Sequence, residues 1–345
     1  MKKINRLLLW LLVGVAALQL TGCSKKDEAA GSYVNGTLVF NEGNFLEGNG
    51  SVSFLKKGEN SAQNNVFETE NNTPVGGIIQ SARKYDDRIY IVTNNQNFVR
   101  VVNAATLKLE LTLQEGLDNP IDVAVINGKI YVTNWGPIDK AFGSNPESFV
   151  AIYNANSGVF IKKVPLTVRP QGIWAYSRSK VFVAGAGSNI IKILNSNTDT
   201  FDGEITVEDG PERFEADEQG KLWVACSSGH LVRFNPATNT VERTIAVNLS
   251  SYPVRIASNG ESIFYFRGNK VYKINAANPV APTTPFAEIN EFTSFNGIGA
   301  DKTTGHVYVG EAVYTRNGGV KVIDNNGQVI SSFTAGIAPN TFIVQ

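Results

Sequence analysis

The chain has 345 residues, 31 of them basic and 31 acidic, and only 18% of it is charged; it lacks the concentrated basic field that a nucleic-acid groove requires. Two cysteines and two histidines exclude a disulfide framework and a histidine-rich metal site. Plentiful asparagine, glycine and threonine over sparse charge suit a sheet-rich protein with many turns.

The first elements precede the fold. Lys2, Lys3 and Arg6 stand before an apolar run from Leu7 to Leu20, and Leu20-Thr21-Gly22-Cys23 follows. A basic region, an apolar run short for a bilayer span and small residues before a cysteine resemble a bacterial lipoprotein signal peptide. Residues 1–22 are therefore expected to be removed, leaving Cys23 lipidated, Cys226 without a partner, and 28 basic residues against 31 acidic ones. Residues 23–34 are small and polar and read as a flexible tether. Within it, Lys25-Lys26-Asp27-Glu28 resembles the export signal of Bacteroidetes lipoproteins. The expected location is the outer membrane, lipid-anchored and facing the extracellular side.

Residues 35–345 read as one all-β domain built from a repeated unit. Three short strands come first, TLVFNEGNF, SVSFLKKG and NNVFETE. A full unit of four strands then runs from Gly76 to Leu113, with Pro74 a few residues early for the pattern that follows. The next unit is the clearest. Pro120 opens the alternating strand Ile121, Val123, Val125; Asn127-Gly128 makes a tight turn; Ile130 and Val132 begin the return, which ends in Trp135 and a long loop around Pro137 to Glu147. Units at Pro170, Pro211 and Pro253 repeat the plan, the last with a looser outer segment, and another begins near Phe295. Starting prolines 120, 170, 211, 253 and 339 lie 50, 41, 42 and 86 residues apart, the last interval being two units. Four strands with this period are a propeller blade. The chain ends with APNTFIVQ, an inner strand with nothing after it, so the N-terminal strands are expected to complete its blade. The fold class is a seven-bladed β-propeller closed by its two ends.

The middle strands IYIV, IYVT, VFVA, LWVA, IFYF and VYVG alternate apolar side chains toward both neighbouring blades. Trp174 and Trp223 are expected to pack between blades, and Trp135 stands where a strand meets the long loop. In such a blade the connection into the innermost strand and the one between second and third strands open on the same face, which would line a ligand site. Amides dominate those segments, together with arginines and aromatics, a set suited to a large polar ligand. On this geometry the candidate ligand-binding residues are Asn95, Asn134, Trp135, Gln171, Arg213, Arg255, Arg267 and Tyr314. The opposite-face segments NAATLK, NANSG, NSNTDT and NPATNT read as ordinary turns.

No HExxH, paired cysteines, GxSxG elbow or GxxxxGK loop appears. His230 and His306 fall in different units, and His230 reads as a solvent-facing side chain. Cys226 reads as a small buried hydrophobe. Asp122, Glu212 and Glu311 are the carboxylates placed to form a weak calcium site or an acid-base pair. No catalytic residue, metal ligand or cofactor is assigned, and the expectation is a binding protein rather than an enzyme.

The Leu20–Cys23 lipobox, the IYVTNW and VFVAGAG strands, the NANSG and NPATNT turns and the closing PNTFIV together resemble the YncE-like surface-lipoprotein β-propellers of Bacteroidetes (DUF5074-like). Within that group the likeness is greatest to the cobalamin-capturing BtuG lipoproteins, and it spans residues 35–345. The resemblance implies capture of cobalamin and related corrinoids outside the cell. It also implies their transfer to a TonB-dependent outer-membrane transporter of the BtuB type. Related propellers serve siderophore uptake, so capture of a ferric siderophore or haem is the alternative. A propeller lactonase or lyase and a structural surface protein are the remaining ones.

Overall fold

Alternation with period two and turn residues at fixed intervals produce 27 strands in the computed structural model, which describes residues 32–345 other than 145, 178 and 250–252. The expectations for the leader, for lipidated Cys23 and for the tether up to residue 31 lie outside the described residues. Tyr33–Gln345 forms one compact unit.

The chain opens with β1 (Gly36–Asn41), β2 (Ser51–Lys56) and helix α1 (Val66–Asn71). Blade one is β3 (Ile79–Tyr85), β4 (Arg88–Thr93), β5 (Phe98–Asn103) and β6 (Leu109–Leu113). Blade two is β7 (Pro120–Ile126), β8 (Lys129–Asn134), then the short helix α2 (Ile138–Ala141), β9 (Ser148–Asn154) and β10 (Phe160–Leu166). Blade three is β11 (Arg169–Tyr176), β12 (Lys180–Ala186), β13 (Ile190–Asn195) and β14 (Thr200–Thr206). Blade four is β15 (Pro211–Ala216), β16 (Leu222–Cys226), β17 (His230–Asn235) and β18 (Thr240–Ala246). Blade five is β19 (Ile256–Ser258), β20 (Ser262–Arg267), β21 (Lys270–Asn275) and the two-residue β22 (Ala287–Glu288). Blade six is β23 (Phe295–Ala300), β24 (Val307–Glu311), β25 (Gly319–Ile323) and β26 (Val329–Thr334), and β27 (Pro339–Val344) ends the chain.

Blades one to six are four-stranded antiparallel meanders, and the seventh sheet has the order β2-β1-β27. The inner strands β3, β7, β11, β15, β19, β23 and β27 pack in succession and β27 returns to β3, so the ring is closed. The fold is the seven-bladed propeller expected, sealed by N- and C-terminal strands in one sheet.

One strand expectation fails. NNVFETE forms α1 instead of a strand: Asn65 and Asn72 bracket it with left-handed backbone, and Val66 and Phe67 are both buried. Adjacent residues of a strand face opposite sides, whereas one helical turn buries both in one wall. The outer edge of blade seven is reduced to an isolated bridge between Phe54 and Gln63.

Hydrophobic clusters fill the seven gaps between blades. In β4, Ile89 and Ile91 enter the wall with blade seven, while Tyr90 and Val92 enter the wall with blade two. Each such side chain contributes roughly 1.5–3 kcal/mol by leaving water. Turns follow the expected chemistry. Asn127 and Gly128 both have positive φ (52° and 68°) between paired Ile126 and Lys129. The lower-face asparagines are consumed locally: Asn103, Asn154, Asn195 and Asn235 each accept a backbone N–H two residues on.

Candidate functional site

All inner strands start from one face of the ring, here the upper face. Six of them begin with an irregular pairing: between Ile79 and Ser81, Pro120 and Asp122, Pro170 and Ile173, Pro211 and Arg213, Phe295 and Gly297, and in β27 opposite Phe40 and Asn41. An extra residue there bends the strand and releases a side chain from the ladder. A proline, having no N–H to donate, suits such a position. Ile79 and Phe295 take the place that proline holds in the other four.

Three bulge residues, Gln80, Gln171 and Glu212, project into a hollow of about 470 Å³ at the upper mouth of the central channel. Loops from other blades complete it. Asn44 and Phe45 come from the β1–β2 connection, Asn94 from β4–β5, Trp135 from β8–β9 and Tyr314 from β24–β25, with Arg255 just ahead of β19.

The walls are held by hydrogen bonds. Trp135 Nε1 donates to Pro170 O at 2.9 Å and to Gln171 Oε1 at 3.2 Å, which turns one ring edge down and leaves the indole half-buried. Arg169 lies 5.2 Å from the Trp135 ring centre and 4.5 Å from that of Phe142, and the two rings meet edge to face at 5.4 Å. Tyr314 Oη donates to Asn296 Oδ1 at 3.0 Å, and Asn44 Nδ2 donates to the Tyr314 carbonyl at 3.0 Å. Glu42 accepts from Asn296 Nδ2 at 2.9 Å and Asn340 Nδ2 at 3.2 Å. Around this cup stand exposed apolar side chains: Phe45 (68% exposed), Leu46 (91%), Ile138 (56%) and Phe142 (66%).

Burial raises the Glu212 carboxyl above its usual range despite Arg213, Arg255 and Arg169 nearby, and burial lowers the affinity of Arg169 for its proton. Beneath the cup an ionic bridge crosses the channel. Arg83 Nε and Nη2 donate to Asp122 Oδ1 and Oδ2 at 3.2 and 3.0 Å. Arg213 reaches from β15 so that Nη1 lies 3.6 Å from Asp122 Oδ2 and Nη2 donates to Gln80 O at 3.3 Å. Burial opposes the Asp122 charge, but Arg83 and then Arg213 outweigh it and hold the carboxyl below the ordinary range. Below the bridge is a second hollow of about 420 Å³, lined by Arg83, Trp174, Glu215 and Lys302 among others.

Of the eight candidate ligand-binding residues, the cup brings together Trp135, Gln171, Arg255 and Tyr314. Asn95 is on the upper face and exposed, with Oδ1 accepting from Ile78 N at 2.8 Å, but its neighbour Asn94 lines the cup. Asn134 is fully buried and self-contained, accepting from Asp118 N and donating to Val132 O at 2.9 Å each. Arg213 is 6% exposed and faces the channel. Arg267 lies outside the cup, donating to Tyr272 Oη at 2.6 Å over that ring. Sequence reasoning missed Gln80 as a ligand-facing residue. The signal was its position: it follows Ile79 as Gln171 follows Pro170 and Glu212 follows Pro211. The Glu42–Phe45 segment was missed as well.

Trp223 packs as expected, fully buried with Nε1 donating to Asp217 Oδ2 at 2.9 Å. Trp174 packs half-buried against the wall between blades three and four, as expected, and has a second contact. It borders the channel, with the Arg83 guanidinium 5.7 Å from its ring centre. The three carboxylates do not converge: Asp122 sits in the ionic bridge, and Glu311 pairs with Arg316 at 2.8 Å while accepting from Gly319 N at 3.0 Å. Among the described residues no group of three or more His, Cys, Asp or Glu is placed to hold a metal ion. His230 Nδ1 lies 3.1 Å from Ser228 Oγ. Burial pushes the Cys226 thiol up to about 12, which makes it a poor nucleophile.

Sheet order, ring closure and the hollowed upper face define a seven-bladed β-propeller with a cup above a bridged channel. Residues 35–334 match the family described as "Domain of unknown function (DUF5074)", and the chain belongs to that family. No curated protein matches the sequence significantly. Among solved structures, a quinonprotein alcohol dehydrogenase-like protein from Bacteroides thetaiotaomicron is similar with a TM-score of 0.69 at 14% identity. That match covers 90% of this chain and 78% of the other. A functionally unknown protein from Desulfotomaculum acetoxidans superposes with a TM-score of 0.65 at 14% identity, over 89% of this chain and 97% of the other. Kuenenia stuttgartiensis hydrazine synthase matches at 0.54 and 16% identity, over 69% and 73%. At these identities the likeness is one of fold.

Proposed function

We propose that this protein is a cell-surface lipoprotein, anchored through Cys23 in the outer membrane and facing outward, that captures cobalamin and related corrinoids in the upper cup. It then hands them to a TonB-dependent outer-membrane transporter of the BtuB type, and it binds without catalysing a reaction. The observation carrying this reading is the convergence of the amides Gln80, Asn94 and Gln171 with the aromatics Phe45, Trp135 and Tyr314 on one hollow. Neutral donors and acceptors interleaved with flat apolar groups suit a broad ring fringed with amides, which would rest on the rim and place its substituents inside. The bulged strands keep that surface pre-organised, so little ordering would oppose capture.

Calorimetry with cobinamide and cyanocobalamin tests the proposal. The wild-type protein should bind both, and Trp135→Ala should weaken binding by about 30-fold, the loss of about 2 kcal/mol typical of a central aromatic anchor. Binding of neither by wild type, or unchanged binding of both by Trp135→Ala, would overturn it. A second reading, capture of an anionic ferric siderophore or haem, is favoured by Arg255 in the cup wall and by Arg169, whose charge burial disfavours. These ligands and corrinoids all absorb visible light, so a colour-based screen on the purified protein separates the readings.

A further inference from the structure

The channel below the cup has more positive charge than its acids balance. Arg83, Arg213, Arg255 and Lys302 border the lower hollow, and Glu215 is the acid in its lining. Asp122 is shared between Arg83 and Arg213, while Arg255 forms no ion pair among the described residues. Burial pushes Glu215 up to about 7, which reduces the charge it offers near neutral pH.

The donors point the same way. Arg213 is 94% buried by its 6% exposure, and its Nε has no hydrogen-bond partner; the Nε of Arg255 is likewise buried and unpartnered. A buried guanidinium donor left unpaired forfeits its hydration without a replacement bond, a standing penalty on the fold. Two such donors, Arg213 in β15 and Arg255 just ahead of β19, border the same hollow, and the two cations repel each other, lowering the affinity of Arg213 for its proton after burial itself. A group carrying paired oxygen atoms meets the side of a guanidinium with two parallel bonds, and it removes both penalties at once.

We propose that the channel binds a small oxyanion, of the size of phosphate or a short dicarboxylate, between Arg213 and Arg255, admitted through the lower mouth past Lys302. The hollow of about 420 Å³ accommodates such a group together with water. This site is separate from the upper cup, although Arg255 borders both. An anion here would neutralise a cup-wall cation from behind and so bias the cup toward neutral ligands.

The test uses the full chain purified in detergent, titrated with inorganic phosphate and with malonate at constant ionic strength set by chloride. One or both should raise the melting temperature and change tryptophan fluorescence saturably. Trp174 borders the channel and Trp135 the cup. Trp174→Phe should therefore abolish the fluorescence change and Trp135→Phe should keep it. Arg213→Gln and Arg255→Gln should each raise the dissociation constant at least tenfold, whereas Arg267→Gln, outside both hollows, should leave it unchanged. If Arg213→Gln does not fold, Arg255→Gln decides. The proposal is overturned by a signal that follows Trp135, by equal affinity in wild type and Arg255→Gln, or by a non-saturating response shared with chloride, meaning an adventitious ion only. Corrinoid binding is measured separately, so either reading can fail without the other.

Discussion

Asp122 answers two arginines from other elements, and its removal would leave both without their ion-pair partner. Breaking a buried pair from one side costs about 3–5 kcal/mol. Asp122→Asn should lower stability by about that amount in urea unfolding at neutral pH. Its pH behaviour follows from the direction of the shift. Folding depresses the Asp122 carboxyl, so its stabilisation is present above the ordinary carboxylate range and is lost as pH falls through the lower folded value. Glu215 runs the other way. Burial raises it to about 7, with Arg83 and Lys302 opposing the rise and Asp122 adding to it. The unfolded carboxyl therefore releases its proton first, and Glu215 progressively destabilises the fold as pH climbs from the ordinary glutamate range to about 7. Glu215→Gln should unfold at a higher urea midpoint than wild type at pH 8 and show little difference at pH 4.5. An equal offset at both pH values would contradict this account. At the single-residue scale the sequence was a partial guide. Trp174 and Trp223 both pack against walls between blades, but Trp174 also borders the channel, while Trp223 is fully buried with Asp217 as its acceptor.

The strands and turns were the most legible elements. Middle strands such as β4 and β8 carry unbroken apolar runs, Ile89 to Val92 and Ile130 to Val132, because both faces are walls, and asparagine-led turns repeat at the lower face. Blade one was harder to place in register, because Ile79 stands where four other blades have proline and Pro74 lies five residues earlier. That shift hid Gln80. The segment forming α1 has strand-like composition, yet Asn71 fastens it to blade one by accepting from Leu109 N at 2.8 Å and donating to Leu107 O at 2.9 Å. Such long-range capping leaves no local periodicity to read. The loop after β8 was conspicuous by length, and its role in the cup is carried by Phe142, which covers Arg169 and meets Trp135. With 66% of Phe142 exposed, Phe142→Ser should change stability by no more than about 0.5 kcal/mol. Its loss should nonetheless weaken capture of the cup ligand several-fold, read by the same calorimetry.

At the scale of the molecule, closure rests on β27. It pairs with β1 from the other end of the chain and packs against both β23 and β3. The approach is close enough to require glycine. A Cβ on Gly297 would overlap the carbonyl of Asn340, as one on Gly172 would overlap that of Glu212. Removing residues 339–345 should open the ring between blades six and one and expose two hydrophobic walls. The truncated protein should unfold at a much lower temperature, with dye binding to exposed apolar surface, whereas a sheet merely decorated by a seventh blade would lose little. The closure itself was legible, since a lone inner strand at one end and unpaired strands at the other imply each other.

The six bulges have a wider consequence for how such a ring acquires new cargo. At three of them the released residue, Gln80, Gln171 or Glu212, faces the cup instead of a wall between blades, so its identity is largely decoupled from folding, whereas Ile121, Asn296 and Asn340 at the other three are buried. Gln80, Gln171 and Glu212 already differ on one backbone plan. Lineages of this architecture can therefore rewrite chemistry at a few addresses around the mouth while the packed blades stay unchanged.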